Sequence, residues 1–223
     1  IFVQKLKIMK NIAVILSGSG RFDGSEIHEA TLTLLALSKN QVNYICFAPN
    51  KAQYHVINHL TGEVSDETRN ILVESARIAR GNIKDIKELK AKDFDALILP
   101  GGFGAAKNLS SFAYEGENYS VDPEVEKVVK DFHSSKKPIA ALCIAPVIIS
   151  KVLGAEVTIG TDKATAKIIE HVGGKHINKD YHEVAIDTKN LIVTNPCYML
   201  ADDIYKVWLG VEACVEAMLG LIK

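Results

Sequence analysis

A cysteine stands where an apolar run gives way to a helix start in Pro138–Pro146 (PIAALCIAP). Cys143 follows the run Pro138–Leu142 directly. Pro146 sits where the first turn of a helix accepts proline, because the missing N–H would be unbonded there in any case. The spacing predicts a helix from about Ile144 and puts the thiol on a sharp strand-to-helix turn, the geometry of a nucleophile elbow. At the positive end of a helix dipole a thiol is expected to ionise more readily, and the thiolate is the attacking species. The small Ala141 and Ala145 permit the tight turn. The competing description is a buried, inert thiol, since free cysteine is among the most buried residue types; the position at a junction brings the two descriptions near parity. Cys46 lies mid-strand and Cys214 mid-helix, where both read as core. Cys197, just after a strand end, is the one competitor.

A nucleophile needs a proton handler and a group that holds negative charge. Gly101-Gly102 can present a backbone N–H free of Cβ interference, and with the Ile144 amide would form a two-donor oxyanion hole. By itself, a Gly-Gly pair after Pro100 reads first as a turn. Glu26 and Glu29, three apart on one helix face, are the carboxylates nearest the first strand's exit. Beside an apolar strand end either could have a raised pKa and exchange protons with a thiol or a substrate carbon. On the residues alone, the plainer reading of both is dipole-complementing charge at a helix start. Gly18-Ser19-Gly20 lacks the third glycine of a dinucleotide loop, and the second strand ends in Phe47-Ala48-Pro49 without the acidic residue a ribose requires. Gly101–Lys107 lacks the Gly-Lys-Ser/Thr of a phosphate loop. His28-Glu29 has no second histidine at zinc-protease spacing, and His55 and His59 fall in a turn, so no metal site is expected. His133, His171, His176 and His182 lie near helix ends and loops and reach Cys143 only through tertiary folding.

The elements that must position these groups alternate. Asn11–Ser17, Asn43–Ala48, Asp95–Leu99, Pro138–Leu142 and Ala155–Ile159 read as short buried strands, and Glu183–Asp187 with Leu191–Thr194 as a hairpin. Ser25–Lys39, Asp66–Arg80 (capped by Asp66), Pro123 to about Ser135 (capped by Asp122), Ala145–Leu153, Thr165–Val172 and Ala201–Ile222 read as helices. This order predicts an α/β fold, a doubly wound, mostly parallel sheet sandwiched by helices in a single domain over residues 9–223. Residues 1–8, ahead of Met9, read as an N-terminal extension outside that domain. In such sheets ligands bind beyond the carboxyl ends of the strands, where Cys143, Gly101-Gly102 and the first helix converge. The 223 residues carry 26 Lys+Arg against 27 Asp+Glu. That balance gives no electrostatic case for nucleic acid or an anionic membrane as partner. The four cysteines are scattered, with no C-x-x-C pair, which suits a reducing compartment and predicts a cytoplasmic protein.

Taken together, VILSGSGRFDGSEIHEA (Val14–Ala30), FAP…INHLTGE (Phe47–Glu63), ETRN (Glu67–Asn70), LPGGFGAAKNL (Leu99–Leu109), CIAP (Cys143–Pro146), TIGTD (Thr158–Asp162) and PCYML (Pro196–Leu200) resemble the ThiJ/PfpI superfamily. The superfamily has a flavodoxin-like sandwich with class I glutamine amidotransferase-like topology. The narrower similarity is to its ElbB branch of isoprenoid-biosynthesis, glyoxalase-like proteins. The resemblance implies that Cys143 is the elbow thiol, that the Gly102 and Ile144 amides form the oxyanion hole, and that a first-helix glutamate contacts the thiol, Glu29 by spacing, with Glu26 close behind. It implies a homodimer acting on a small aldehyde without cofactor or metal, converting glyoxal-type 2-oxoaldehydes to hydroxy acids, with deglycation of adducts as a related activity. Relatives that hydrolyse peptide or amide bonds carry His directly after the elbow Cys. Ile144 stands there in this chain, and no His-Pro-Glu occurs near the C-terminus. Two other functions remain open: a non-catalytic redox sensor or interaction module using Cys143, and an amidase or amidotransferase-type hydrolase.

Overall fold

The computed structural model describes residues 9–223, and the extension read at residues 1–8 lies outside the described residues. The strands are β1 Asn11–Ile15, β2 Asn43–Ala48, β3 Val56–Ile57, β4 Val64–Ser65, β5 Ile83–Asp85, β6 Ala96–Leu99, β7 Ile139–Leu142, β8 Glu156–Val157, β9 Lys175–His176, β10 Ala185–Asp187 and β11 Ile192–Asn195. The helices are α1 Ile27–Lys39, α2 Ile71–Ile78, α3 Phe103–Lys107, α4 Phe112–Glu115, α5 Pro123–Ser134, α6 Pro146–Leu153, α7 Lys163–His171 and α8 Ile204–Gly220. Seven strands form one sheet in the order β10-β11-β7-β6-β1-β2-β5. Every neighbouring pair is parallel except β10 with β11, which close as the expected antiparallel hairpin.

The short apolar strands are buried on both faces because helices cover both. Side chains alternate across the sheet, as the period of two requires. Ala13, Ile15, Leu97, Leu99, Ile139 and Ala141 face the layer of α5, α6 and α7, packing with Phe132, Val147 and Ile169. Ile12, Val14, Ala96, Ile98, Ala140 and Leu142 face α1 and α8, packing with Leu37, Val211 and Met218. The chain leaves β1 toward β2 and later returns to place β6 on the other side of β1, so the carboxyl ends of β1 and β6 flank a topological switch point. Such a seam opens a crevice that neither connection covers.

Several boundaries differ from expectation, each for a local reason. The second helix starts at Ile71, not Asp66. Residues before it are used by the β3–β4 hairpin, and the Asn70 side chain accepts the Val73 N–H as the actual cap. The run Ala155–Ile159 contributes only β8, which pairs with β9 in a separate two-stranded sheet. Beyond it the Thr158 N–H is taken by the Thr194 hydroxyl at 2.9 Å instead of a strand neighbour. The last helix starts at Ile204 because Asp203 caps it and Cys197–Met199 form a separate 3-10 turn. Asp122 caps α5 with Pro123 in its first turn, as its sequence predicts. Among the described residues no helix is long and apolar enough to cross a membrane.

Candidate active site

Cys143 leaves β7 with its backbone in the left-handed region, φ +59°. Its N–H donates to the Asn195 carbonyl at 2.9 Å, continuing the β7–β11 ladder for one more step. The helix does not begin at Ile144. Cys143, Ile144 and Ala145 form a turn closed by Ala145 N–H to Leu142 O at 2.9 Å, and α6 starts at Pro146. A non-glycine residue at positive φ stores roughly 1 kcal/mol or more, a strain that functional sites retain. Its effect here is to turn the chain out of the strand conformation at the end of β7. Cys143 is 7% exposed, against 1% or less for Cys46, Cys197 and Cys214, so it is the thiol with a route to solvent.

Glu29 is fully buried in the first turn of α1, and its carboxyl packs beside the Cys143 side chain across Gly101. Two backbone donors hold it. Gly101 N–H reaches Oε2 at 3.0 Å and Tyr198 N–H reaches Oε1 at 3.2 Å. Glu26 plays a different part, since its Oε2 accepts the Glu29 N–H at 2.8 Å; it caps α1 and does not contact the thiol. The amides of Gly102 and Ile144 face the Cys143 sulfur. The structure therefore gathers Cys143, Glu29, Gly102 and Ile144 at one point, with Glu26 one hydrogen bond behind.

Glycine is required at two places. A Cβ on Gly101 would lie 2.4 Å from Cys143 Cβ and 2.6 Å from Glu29 Oε2. Gly102 has φ +95°, and a Cβ there would meet the Glu26 nitrogen at 2.2 Å. Gly101→Ala is thus expected to force thiol and carboxyl apart and destabilise the fold by about 1–3 kcal/mol through overpacking. Urea unfolding checks this, and an unchanged midpoint would refute it.

The electrostatics reverse one expectation. Burial, and then the charge of Glu26, push Glu29 up to about 8, against the pull of the Tyr198 and Gly101 amides and the Cys143 thiol. Burial and the adjacent Glu29 charge also push the Cys143 thiol well above its ordinary value, although the Gly102 and Ile144 amides favour the thiolate. The resting thiol is consequently not acidified by the helix end. The α6 dipole begins a turn later, and two like-charge forms in one dry pocket oppose each other. Thiol and carboxyl act as a coupled pair from which the first proton leaves near the pKa of Glu29.

Two further contributors, Asn195 and Tyr198, bound a strand-exit segment that the sequence marks as part of the candidate site without giving either residue a role. Asn195 ends β11 with every polar group engaged: its carbonyl takes Cys143 N–H, its Oδ1 takes the Cys197 N–H (2.8 Å) and thiol (3.2 Å), and its Nδ2 donates to Tyr181 O and Glu183 O. Tyr198 supplies the amide on Glu29 while its hydroxyl shares a 2.7 Å hydrogen bond with His28 Nδ1. Cys197 is fully buried, with burial pushing its thiol well up, and acts as a core residue. Among the described residues no cluster of three or more His, Cys, Asp or Glu is arranged to hold a metal ion.

The sequence profile of the DJ-1/PfpI family matches residues 22–195, from the β1 exit loop through Asn195. The chain belongs to the DJ-1/PfpI family. Within it, this family member is 46% identical to a rat protein named ES1 protein homolog, mitochondrial, over 94% of this chain and 83% of the relative. It is equally 46% identical to the human glutamine amidotransferase-like class 1 domain-containing protein 3, mitochondrial, over 94% of this chain and 82% of that one. The crystal structure of an isoprenoid biosynthesis protein with an amidotransferase-like domain from Ehrlichia chaffeensis superposes with a TM-score of 0.88 at 42% identity, covering 94% of this chain and 99% of that one. A glyoxalase III from Candida albicans, 14% identical with a TM-score of 0.63 over 96% of this chain and 98% of its own, shares the fold. The mitochondrial names of the rat and human relatives overturn the cytoplasmic expectation. Free, scattered thiols report a reducing environment, and that condition is not peculiar to the cytoplasm.

Proposed function

We propose that this DJ-1/PfpI family member is a cysteine-dependent, cofactor-independent enzyme that converts glyoxal-type 2-oxoaldehydes to hydroxy acids. One observation carries the reading: a buried carboxyl, raised to about 8, packs beside the Cys143 thiol, and the Gly102 and Ile144 amides favour the thiolate there. A carboxyl kept neutral or charged by a narrow pH change suits repeated proton transfer. Glu29 takes the thiol proton as sulfur adds to one aldehyde carbon. The resulting alkoxide is held by the Gly102 and Ile144 amides and then receives that proton, giving a hemithioacetal. Glu29 next moves a proton from this carbon to its neighbour, which yields a thioester of glycolate. Water cleaves the thioester and restores the thiol, so glyoxal plus water becomes glycolate with no change in electron count.

Amide hydrolysis is less well served. It needs a base that also protonates a leaving amine, commonly an imidazole beside the nucleophile. Ile144 follows the thiol, and His28 is hydrogen-bonded to Tyr198. As for assembly, we propose a homodimer on the family resemblance, and sedimentation of the purified protein would show it as twice the 24.4 kDa chain.

The test is glycolate formation from glyoxal by the purified protein, and its absence would reject the reading. The pH profile adds a second check. The working form needs Glu29 ionised and the thiol still protonated. Because burial places the Glu29 transition near 8, the rate should rise as pH climbs through about 8 and not near 4.5. A flat profile between pH 6 and 9 would contradict the assigned base.

A further inference from the structure

Glyoxal carries two oxygens, and the Gly102 and Ile144 amides answer only the one on the attacked carbon. As a proton moves between the carbons, negative charge develops on the second oxygen, and a donor aimed there lowers the barrier. Glu29 cannot be that donor. Its Oε2 accepts from Gly101, its Oε1 accepts from Tyr198, and it must shuttle the carbon-bound proton.

Tyr198 is clamped at both ends. Its backbone N–H holds Glu29 at 3.2 Å, and its hydroxyl is tied at 2.7 Å to Nδ1 of His28, the residue next to Glu29 on α1. The two rings lie 5.9 Å apart between centroids. His28 is exposed and Tyr198 half-buried, whereas Glu29 is fully buried. The pair therefore lies nearer the surface than the carboxyl it flanks. Partial burial and the charges of Glu26 and Glu29 hold the phenol above its ordinary value, so it stays a donor while Glu29 titrates.

We propose that the Tyr198 hydroxyl, oriented by a hydrogen bond from His28 Nδ1–H, is the donor to the second oxygen, and so selects 2-oxoaldehydes over simple aldehydes. This rests on the glyoxal reading. In the step, Glu29 removes the proton from the sulfur-bearing carbon, and that electron pair forms a carbon–carbon double bond. The π pair of the second carbonyl moves onto its oxygen, which takes the Tyr198 proton. Glu29 then protonates the second carbon while the first hydroxyl gives its proton back to the Tyr198 oxygen, leaving the thioester. One proton has moved between carbons and one between oxygens, and no oxidant or reductant is needed.

Tyr198→Phe keeps the backbone N–H on Glu29 and removes only the hydroxyl. With glyoxal as probe, its kcat for glycolate is expected to fall about 100-fold. Intact-mass measurement should still show glyoxal adding to Cys143, and the rising limb of the pH profile should stay where wild type has it. His28→Ala should lose about tenfold, largely recovered in His28→Asn, whose amide can donate from the same place. A Tyr198→Phe rate within threefold of wild type would overturn the inference, as would a limb that shifts together with the rate, since Tyr198 would then act by holding Glu29. If wild type itself forms no glycolate, the glyoxal reading falls and takes this step with it. If wild type is active and the phenylalanine variant equally so, this step alone falls.

Discussion

Cys143→Ala is expected to reduce glycolate formation from glyoxal to the uncatalysed background, a loss of at least about 10³-fold, because the proposed reaction begins with attack by that sulfur. Cys197 is fully buried and its thiol donates to Asn195 Oδ1 at 3.2 Å, so it cannot substitute. The fold should survive. Alanine at φ +59° carries the same backbone strain as cysteine, and the Cys143 N–H bond to Asn195 does not involve the side chain. The comparison needs two measurements on one preparation: glycolate by a coupled assay and thermal unfolding. Retained turnover in a folded alanine variant would remove the thiol from the mechanism. Loss of both activity and folding would mean that the sulfur is structural, and Cys143→Ser, which keeps the volume, would then be expected to refold the chain without restoring turnover.

The second large effect concerns stability, and its sign changes with pH. Burial lifts Glu29 from 4.5 to about 8, so the folded state holds a proton that the unfolded chain releases. The stability this contributes is complete below about 4.5, declines as pH rises, and is gone above about 8; across that window wild type should lose on the order of 5 kcal/mol. Glu29→Gln cannot titrate and escapes the decline. It has one cost of its own: the Gly101 and Tyr198 N–H groups both need acceptors, and the Gln amide offers one acceptor and one donor. A buried donor left unsatisfied costs about 1–3 kcal/mol. Glu29→Gln is therefore expected to be less stable than wild type at pH 5 and more stable at pH 9, by roughly 2 kcal/mol each way. Urea unfolding at the two pH values decides it. A difference of the same sign at both would mean that Glu29 is already ionised in the folded protein at low pH.

Much of this architecture was legible in the sequence because the physics was local. Buried parallel strands announce themselves as unbroken apolar runs, and β1, β2, β6 and β7 all sit within such runs. Asp122-Pro123 marks a helix start through groups that meet within one turn. The elements that escaped notice are short and owe their form to partners far along the chain. The three-residue β5 has no apolar run of its own and exists because β2 offers an open edge. Asp66 looked like a cap, yet the β3–β4 hairpin occupies the chain up to that point and Asn70 does the capping. In the site, Cys143 could be singled out because a strand, a thiol and a helix start are adjacent in sequence. The thiol's ionisation could not be judged in the same way. It depends on Glu29, more than a hundred residues away, and on how completely the surrounding layers exclude water. The amides of Gly101 and Tyr198 on Glu29 are likewise products of tertiary folding, since a backbone N–H leaves no trace in residue identity.

Asn195 leads to one more consequence. Every hydrogen-bonding group it has is committed at once: to the backbone of Cys143, to the turn at Cys197, and through Nδ2 to the carbonyls of Tyr181 and Glu183 in a surface loop. Gly210 of α8 lets the helix approach the same amide, since a Cβ there would lie 2.4 Å from Oδ1. A peripheral loop, a C-terminal helix and the backbone of Cys143 thus share a single rivet. The turn that carries Cys143 is therefore fixed to the far side of the sheet through one side chain, not only through its own strand.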